Sequence, residues 1–168
     1  MAPQRIADIY LAEMTPEDAP VLDIGSGTGL VAEHLQGMLA DAFDISPEML
    51  AEAATKRIYR QTIQGDLTGP LDIADARYGG VISCGTFTHG HVGPECLPEM
   101  IRIARPGALF VCGTIAQVYD GMRFGSALAA LVAAGDITPV RFCKIDIYEG
   151  AAHPHAGDKG LVMIFRRI

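Results

Sequence analysis

Of three carboxylates, Asp23 and Asp44 each follow a short apolar run and Asp66 follows Thr62-Ile63-Gln64-Gly65, and the first leads through Ile24 into Gly25-Ser26-Gly27-Thr28-Gly29. Alternating glycines after a strand-like run let the chain turn tightly and bring bare backbone close to a ligand. Asp44 comes 21 residues after Asp23, the distance at which open α/β folds place an acid on a ribose. A second group of reactive side chains sits in the loop 85–93, Gly85-Thr86-Phe87-Thr88-His89-Gly90-His91-Val92-Gly93. His89 and His91, and further on His153 and His155, are candidate general bases, because imidazole changes its charge near neutral pH. For each histidine the plain alternative is a surface or packing role.

Elements must exist to carry these groups to one place. Short strand-like runs alternate with helix-like stretches, the rhythm of a parallel sheet covered by helices on both faces. Helices are expected at about 4–13, 29–39, 47–59, 94–104 and 124–134, and strands at 21–24, 39–45, 60–64, 78–84 and 108–114. Ser46 and Pro47 are a good N-cap and first helical residue. The runs 140–148 and 161–166 have no helix between them and are expected to close the sheet as an antiparallel hairpin. No repeat or linker breaks the pattern, so residues 1–168 are expected to form one domain.

The string Val21-Leu22-Asp23-Ile24-Gly25-Ser26-Gly27-Thr28-Gly29, with Asp44 and Asp66 at the following strand ends, resembles the class I S-adenosylmethionine-dependent methyltransferases. That resemblance implies a Rossmann-like α/β fold with a seven-stranded, mostly parallel sheet of order 3-2-1-4-5-7-6, strand 7 antiparallel. It implies S-adenosyl-L-methionine as cofactor and S-adenosyl-L-homocysteine as product. Asp23 would help hold the methionine end while Gly25, Ser26, Gly27 and Gly29 pass beneath the cofactor. Asp44 would accept from the ribose hydroxyls, and Asp66 would meet the adenine amino group between walls made by Ile45, Leu67 and Met49. Cys84, Gly85 and Thr86, leaving the fourth strand, would lie near the sulfonium methyl. The loop from Gly85 to Val92 is similar to that of a small-molecule branch of the family, including Williams-Beuren-region-type proteins, whose substrates do not follow from the motif. Two departures stand out: Tyr78-Gly79-Gly80-Val81 lacks the acid common before the fourth strand, and Ser83-Cys84-Gly85-Thr86 replaces the Asp/Asn-Pro-Pro-Tyr motif of enzymes that methylate amino groups of DNA bases.

The residues also argue chemically for this cofactor. It carries an ammonium, a sulfonium, a ribose diol and an adenine amino group, all suited to carboxylates. A dinucleotide is the rival reading, but its Gly-x-Gly-x-x-Gly turn would need glycine at position 30, which is Leu30. Asp23 would moreover oppose a pyrophosphate.

The balance of 13 Lys plus Arg against 20 Asp plus Glu gives a net charge of −7, which disfavours a nucleic-acid partner. Lys56, Arg57 and Arg60 are expected on a solvated helix end. Cys84, Cys96, Cys112 and Cys143 lack Cys-x-x-Cys spacing, and reduced thiols fit a cytoplasmic protein. No long apolar segment follows Met-Ala-Pro-Gln-Arg, so no signal peptide or membrane span is expected. The His-x-His pairs raise a metal site. However, Thr114-Ile115-Ala116-Gln117 stands where an oxygen-rich magnesium motif would follow the fifth strand, so no metal is expected. The expected activity is methyl transfer to a small-molecule substrate by in-line displacement. The alternative is a catalytically silent cofactor-binding protein with a regulatory or assembly role. The short lid leaves open whether the pocket stays exposed or is closed by the second subunit of a homodimer.

Overall fold

A computed structural model describes residues 2–35, 37–88, 92–147 and 159–168. Seven strands form one sheet: β1 (Val21–Ile24), β2 (Ala40–Asp44), β3 (Thr62–Gln64), β4 (Tyr78–Phe87), β5 (Ala104–Ile115), β6 (Arg141–Asp146) and β7 (Lys159–Arg166). Their order is β3-β2-β1-β4-β5-β7-β6. β7 runs antiparallel to both β5 and β6, and all other pairings are parallel. The expected topology and closing hairpin are both present.

Residues of β1 are buried along its whole length, as a central parallel strand covered on both faces requires. Alternation along the strands divides the core. Leu22, Val81, Phe110 and Cys112 face a cluster with Met100 and Ile103 of α3 (Leu97–Ile103) and with Phe124 and Leu128 of α5 (Phe124–Ala134). Val21, Ile82, Leu109 and Val111 face Ile6 and Tyr10 of α1 (Ala2–Glu13). Among the described residues no helix is long and apolar enough to cross a membrane.

Several elements differ from expectation. The expected helix over 29–39 is replaced by turns and one 3-10 turn, Ala32–His34. Gly29 and Gly37 both have positive φ, and the short span between them leaves no room for further helical turns before β2. The helix after Ser46, α2 (Pro47–Thr55), opens as expected, with the Ser46 hydroxyl accepting from the Met49 amide at 3.2 Å. It ends earlier than 59 because Arg57 adopts φ +55°, where the left-handed conformation turns the chain back. A short helix, α4 (Ala116–Gly121), follows β5 and was not expected.

Beyond Ser83, β4 does not stop but bulges. Ser83 pairs with Cys112 and Phe87 with Thr114, so Cys84, Gly85 and Thr86 oppose Gly113 alone. A bulge bends its strand and re-aims side chains. Here it brings Thr86 over the glycine turn.

At the other pole, the fully buried Asp41 receives Arg60 through Nε and Nη2, both at 2.8 Å, together with Gln61 at 2.8 Å and the Tyr78 hydroxyl at 2.9 Å. These hydrogen bonds hold Asp41 below the usual carboxylate range against the opposing effect of its burial. The cluster ties β2 to β4 and to the chain entering β3, away from the site.

Candidate functional site

The carboxyl ends of β1, β2 and β4 meet at the glycine turn. Phe43 O accepts the amides of Gly25 at 2.8 Å and Ser26 at 3.1 Å. Asp44 Oδ2 accepts the Gly27 amide at 2.7 Å, and Asp44 Oδ1 accepts the Ser46 amide at 2.9 Å. The turn therefore hangs from the end of β2. Gly25 has φ +64°, and a Cβ there would lie 2.0 Å from Thr86 Oγ1. The absent side chain makes room for Thr86, whose hydroxyl donates to Ile24 O at 2.9 Å. Gly27, at φ +53°, has open space where a Cβ would point among the described residues.

Asp23 is buried, with Oδ2 accepting from the Tyr59 hydroxyl at 2.7 Å. Burial pushes its pKa up to about 7, reinforced by the nearby Asp44 charge and opposed by the Tyr59 hydrogen bond. Asp23 Oδ1 and Ser26 Oγ are buried and have no hydrogen-bond partner among the described residues. Asp66 is exposed, and its Oδ1 accepts the amide of Thr68 at 2.8 Å and its hydroxyl at 2.7 Å. These two bonds lower its pKa, the amide contributing most.

Beside these acids lies a cavity of about 290 Å³, lined by Ile24, Gly25, Phe43, Asp44, Ile45, Gly65, Asp66, Leu67, Thr68, Thr86 and Val92. Of the residues singled out from sequence, Gly25, Asp44, Ile45, Asp66, Leu67 and Thr86 come together there. Asp23, Ser26 and Gly27 form the adjoining corner. Gly29 instead faces the Tyr59 ring, 3.0 Å from where its Cβ would stand. Met49 lies exposed on α2, outside this lining. Cys84 and Gly85 belong to the bulge, and burial first, then the Asp23 charge, pushes the Cys84 thiol up to about 12. Cys84 is thus a protonated thiol at neutral pH, unsuited to nucleophilic work.

His89, His91, His153 and His155 lie outside the described residues. No group of three or more His, Cys, Asp or Glu positioned to hold a metal ion occurs among the described residues. Phe43, Gly65, Val92 and Tyr59 escaped the sequence reading. Phe43 and Gly65 flank recognised acids, so their place beside the cavity could have been read from strand position. Tyr59 reaches Asp23 only because of the Arg57 turn, which has no clear sequence signal.

A model of the methyltransferase domain family matches residues 22–112, more than half of the chain. Methyltransferase-like protein 27 of Homo sapiens is 30% identical over 119 residues, covering 68% of this chain and 48% of that protein. The malonyl-[acyl-carrier protein] O-methyltransferase of Pectobacterium atrosepticum is 28% identical over 163 residues, covering 90% of this chain and 60% of that protein. The chain thus spans about half to three fifths of the length of these curated relatives. In fold it is similar to a TehB-like SAM-dependent methyltransferase from Corynebacterium glutamicum, with a TM-score of 0.68 at 21% identity over 99% of this chain and 88% of that one. The chain belongs to the methyltransferase domain family, in its class I form, whose cofactor is S-adenosylmethionine.

Proposed function

We propose that this domain transfers a methyl group from S-adenosylmethionine to a small-molecule acceptor. The observation that carries the reading is the set of carboxylates near the end of β1, at the end of β2 and just beyond β3, in or beside a cavity whose lining, among the described residues, contains no Lys or Arg. Such a surface suits a ligand made of cations and hydrogen-bond donors. It disfavours a phosphate backbone, as does the net charge of −7.

The residues fit the cofactor. Two buried polar atoms, Asp23 Oδ1 and Ser26 Oγ, lack partners among the described residues, and an unsatisfied buried group costs about 1–3 kcal/mol. An amino-acid end with its ammonium and carboxylate is the complement of that pair. Asp44 would accept from the ribose diol while keeping its two backbone amides, since a carboxylate has about four acceptor positions. Asp66, with Oδ1 held by Thr68, would turn Oδ2 to the adenine amino group, and Ile45, Leu67, Phe43 and Val92 would wall the ring.

When bound, the cofactor supplies an electrophilic methyl on a positively charged sulfur. The chain's part is to align the acceptor in line with that carbon and to keep water out. Thr86, fixed by Ile24 O and fitted into the space at Gly25, sets the floor between cofactor and acceptor loop. For a hydroxyl or ammonium acceptor, His89 or His91 would take the proton. The relative named as an O-methyltransferase of malonyl-[acyl-carrier protein] supports a small acceptor group. Unpaired cysteines at 84, 96, 112 and 143 support a reducing, cytoplasmic setting, and the continuous sheet supports residues 1–168 acting as one domain. Incubation with methyl-labelled cofactor across a panel of small acids, alcohols, amines and thiols tests the activity. Label should move to one acceptor class and not to RNA or DNA. Cofactor binding without transfer to any acceptor would favour the silent binding protein.

A further inference from the structure

We propose that Tyr59 is a positioning residue for the cofactor's amino-acid end: its hydroxyl occupies one oxygen of Asp23 and its ring braces Gly29, so that the carboxylate offers only Oδ1 to a cationic N–H donor. The inference rests on the methyltransferase reading above.

The geometry begins at the end of α2. Arg57, at φ +55°, turns the chain so that Tyr59 doubles back over the glycine turn. The hydroxyl donates to Asp23 Oδ2 at 2.7 Å, while the ring edge stands 3.0 Å from where a Gly29 Cβ would be. One aromatic side chain therefore fixes both the acid before the turn and the last glycine within it. Asp23 Oδ1 stays buried and has no hydrogen-bond partner among the described residues.

The groups that act on this pair come from several elements. Asp44 of β2 adds negative charge at Asp23, as does Glu33 of the 3-10 turn at Tyr59. Cys84 of β4 lies on the same face as Asp23, Cys112 of β5 lies across the sheet within reach of its charge, and both thiols are kept protonated chiefly by burial. The effects that resist Asp23 ionisation are burial and Asp44, and the Tyr59 hydroxyl is what favours it. Tyr59 is itself pushed upward, by burial first and then by Asp23, so it remains a donor throughout the working range. A cation arriving at Oδ1 must displace the proton that Asp23 retains near neutral pH. Binding should therefore strengthen as pH rises through the Asp23 titration, and loss of the Tyr59 hydroxyl should move that titration upward.

Carboxyl-carbon NMR of Asp23 in the ligand-free wild type and in Tyr59→Phe, paired with calorimetric titration of S-adenosylhomocysteine across pH, tests this. Both proteins meet the same ligand, so its own ionisation cancels in the comparison. The Asp23 midpoint is expected to rise by roughly one pH unit in Tyr59→Phe, with affinity weakened about five- to tenfold at neutral pH, a one-unit change being a factor of ten. At alkaline pH the two proteins should converge. Asp23→Asn, which keeps an oxygen for Tyr59 but cannot ionise, should flatten the binding profile even if Tyr59→Phe folds poorly. Equal weakening of Tyr59→Phe at every pH, an unmoved midpoint, or a sloping profile in Asp23→Asn that matches wild type would overturn the positioning role alone. A wild-type protein that binds no S-adenosylhomocysteine at any pH would overturn the methyltransferase reading and this role with it.

Discussion

Asp44 Oδ2 and the Gly27 amide lie 2.7 Å apart, so the last residue of β2 holds the middle of the glycine turn. The acid proposed to accept the ribose hydroxyls is therefore also a strut of the surface on which the cofactor would rest. Binding and local stability are joined in one carboxylate.

Asp44→Ala should consequently show two losses. Removing the acceptor of the Gly27 and Ser46 amides is expected to cost about 1–3 kcal/mol of stability, and cofactor affinity should fall by a further 1.5–3 kcal/mol or so. Asp44→Asn retains one acceptor oxygen and should recover part of each. Thermal unfolding and calorimetric titration of both variants give the two quantities separately.

Gly25 and Gly27 should respond differently to the same substitution. Gly25→Ala forces a Cβ to 2.0 Å from Thr86 Oγ1 at φ +64°, and is expected to unfold the turn or the protein. Adding Thr86→Ala should relieve the clash but leave the left-handed strain, about 1–2 kcal/mol. Gly27→Ala meets only that strain, so it should fold and yet bind cofactor weakly. Melting temperatures and affinities of the four proteins, wild type included, decide this.

Stability should fall as pH rises through the range set by Asp23. Its folded pKa of about 7 lies above the ordinary 3.8, so between these values the folded chain retains a proton that the unfolded chain has lost. The contribution is fully present below about pH 4, declines up to about pH 7 and is absent above it. At about 1.4 kcal/mol for each pH unit between the two values, the decline is on the order of 4 kcal/mol. Urea unfolding of Asp23→Asn should show this slope removed relative to wild type, making the variant the more stable of the two at mildly alkaline pH.

Much of this frame was legible because strands, glycines and acids announce themselves locally. Asp23 and Asp44 each follow an apolar run, Asp66 follows the short, largely polar strand β3, and the sheet order follows from the resemblance of the motif to a known family. The contraction of the 29–39 helix to one 3-10 turn was hidden because periodicity does not report how little chain remains before Gly37 and β2. The β4 bulge and the reach of Tyr59 depend on long-range packing: Thr86 fits only because Gly25 is bare, and Tyr59 arrives only because Arg57 turns left-handed. His89 and His91 are candidate bases from residue type and from their loop after the fourth strand, and they lie outside the described residues.

The cluster at the opposite pole supplies a control. Asp41→Asn leaves the partly exposed Arg60, together with Gln61 and Tyr78, short of a charged acceptor, and should cost about 1–3 kcal/mol. In the folded variant cofactor affinity should match wild type, because Asp41 lies at the strand ends remote from the cavity. Denaturant unfolding with parallel calorimetry checks both halves of that statement.

The central claim is that carboxylates at neighbouring strand ends bind a cationic sulfonium nucleoside. Calorimetric titration of wild type and Asp44→Ala with S-adenosylmethionine, and of wild type with NAD, tests it most directly. The account predicts one-to-one binding of S-adenosylmethionine, at least tenfold weaker in folded Asp44→Ala, and no binding of NAD. Binding of NAD in its place, or an S-adenosylmethionine affinity indifferent to Asp44, would contradict it.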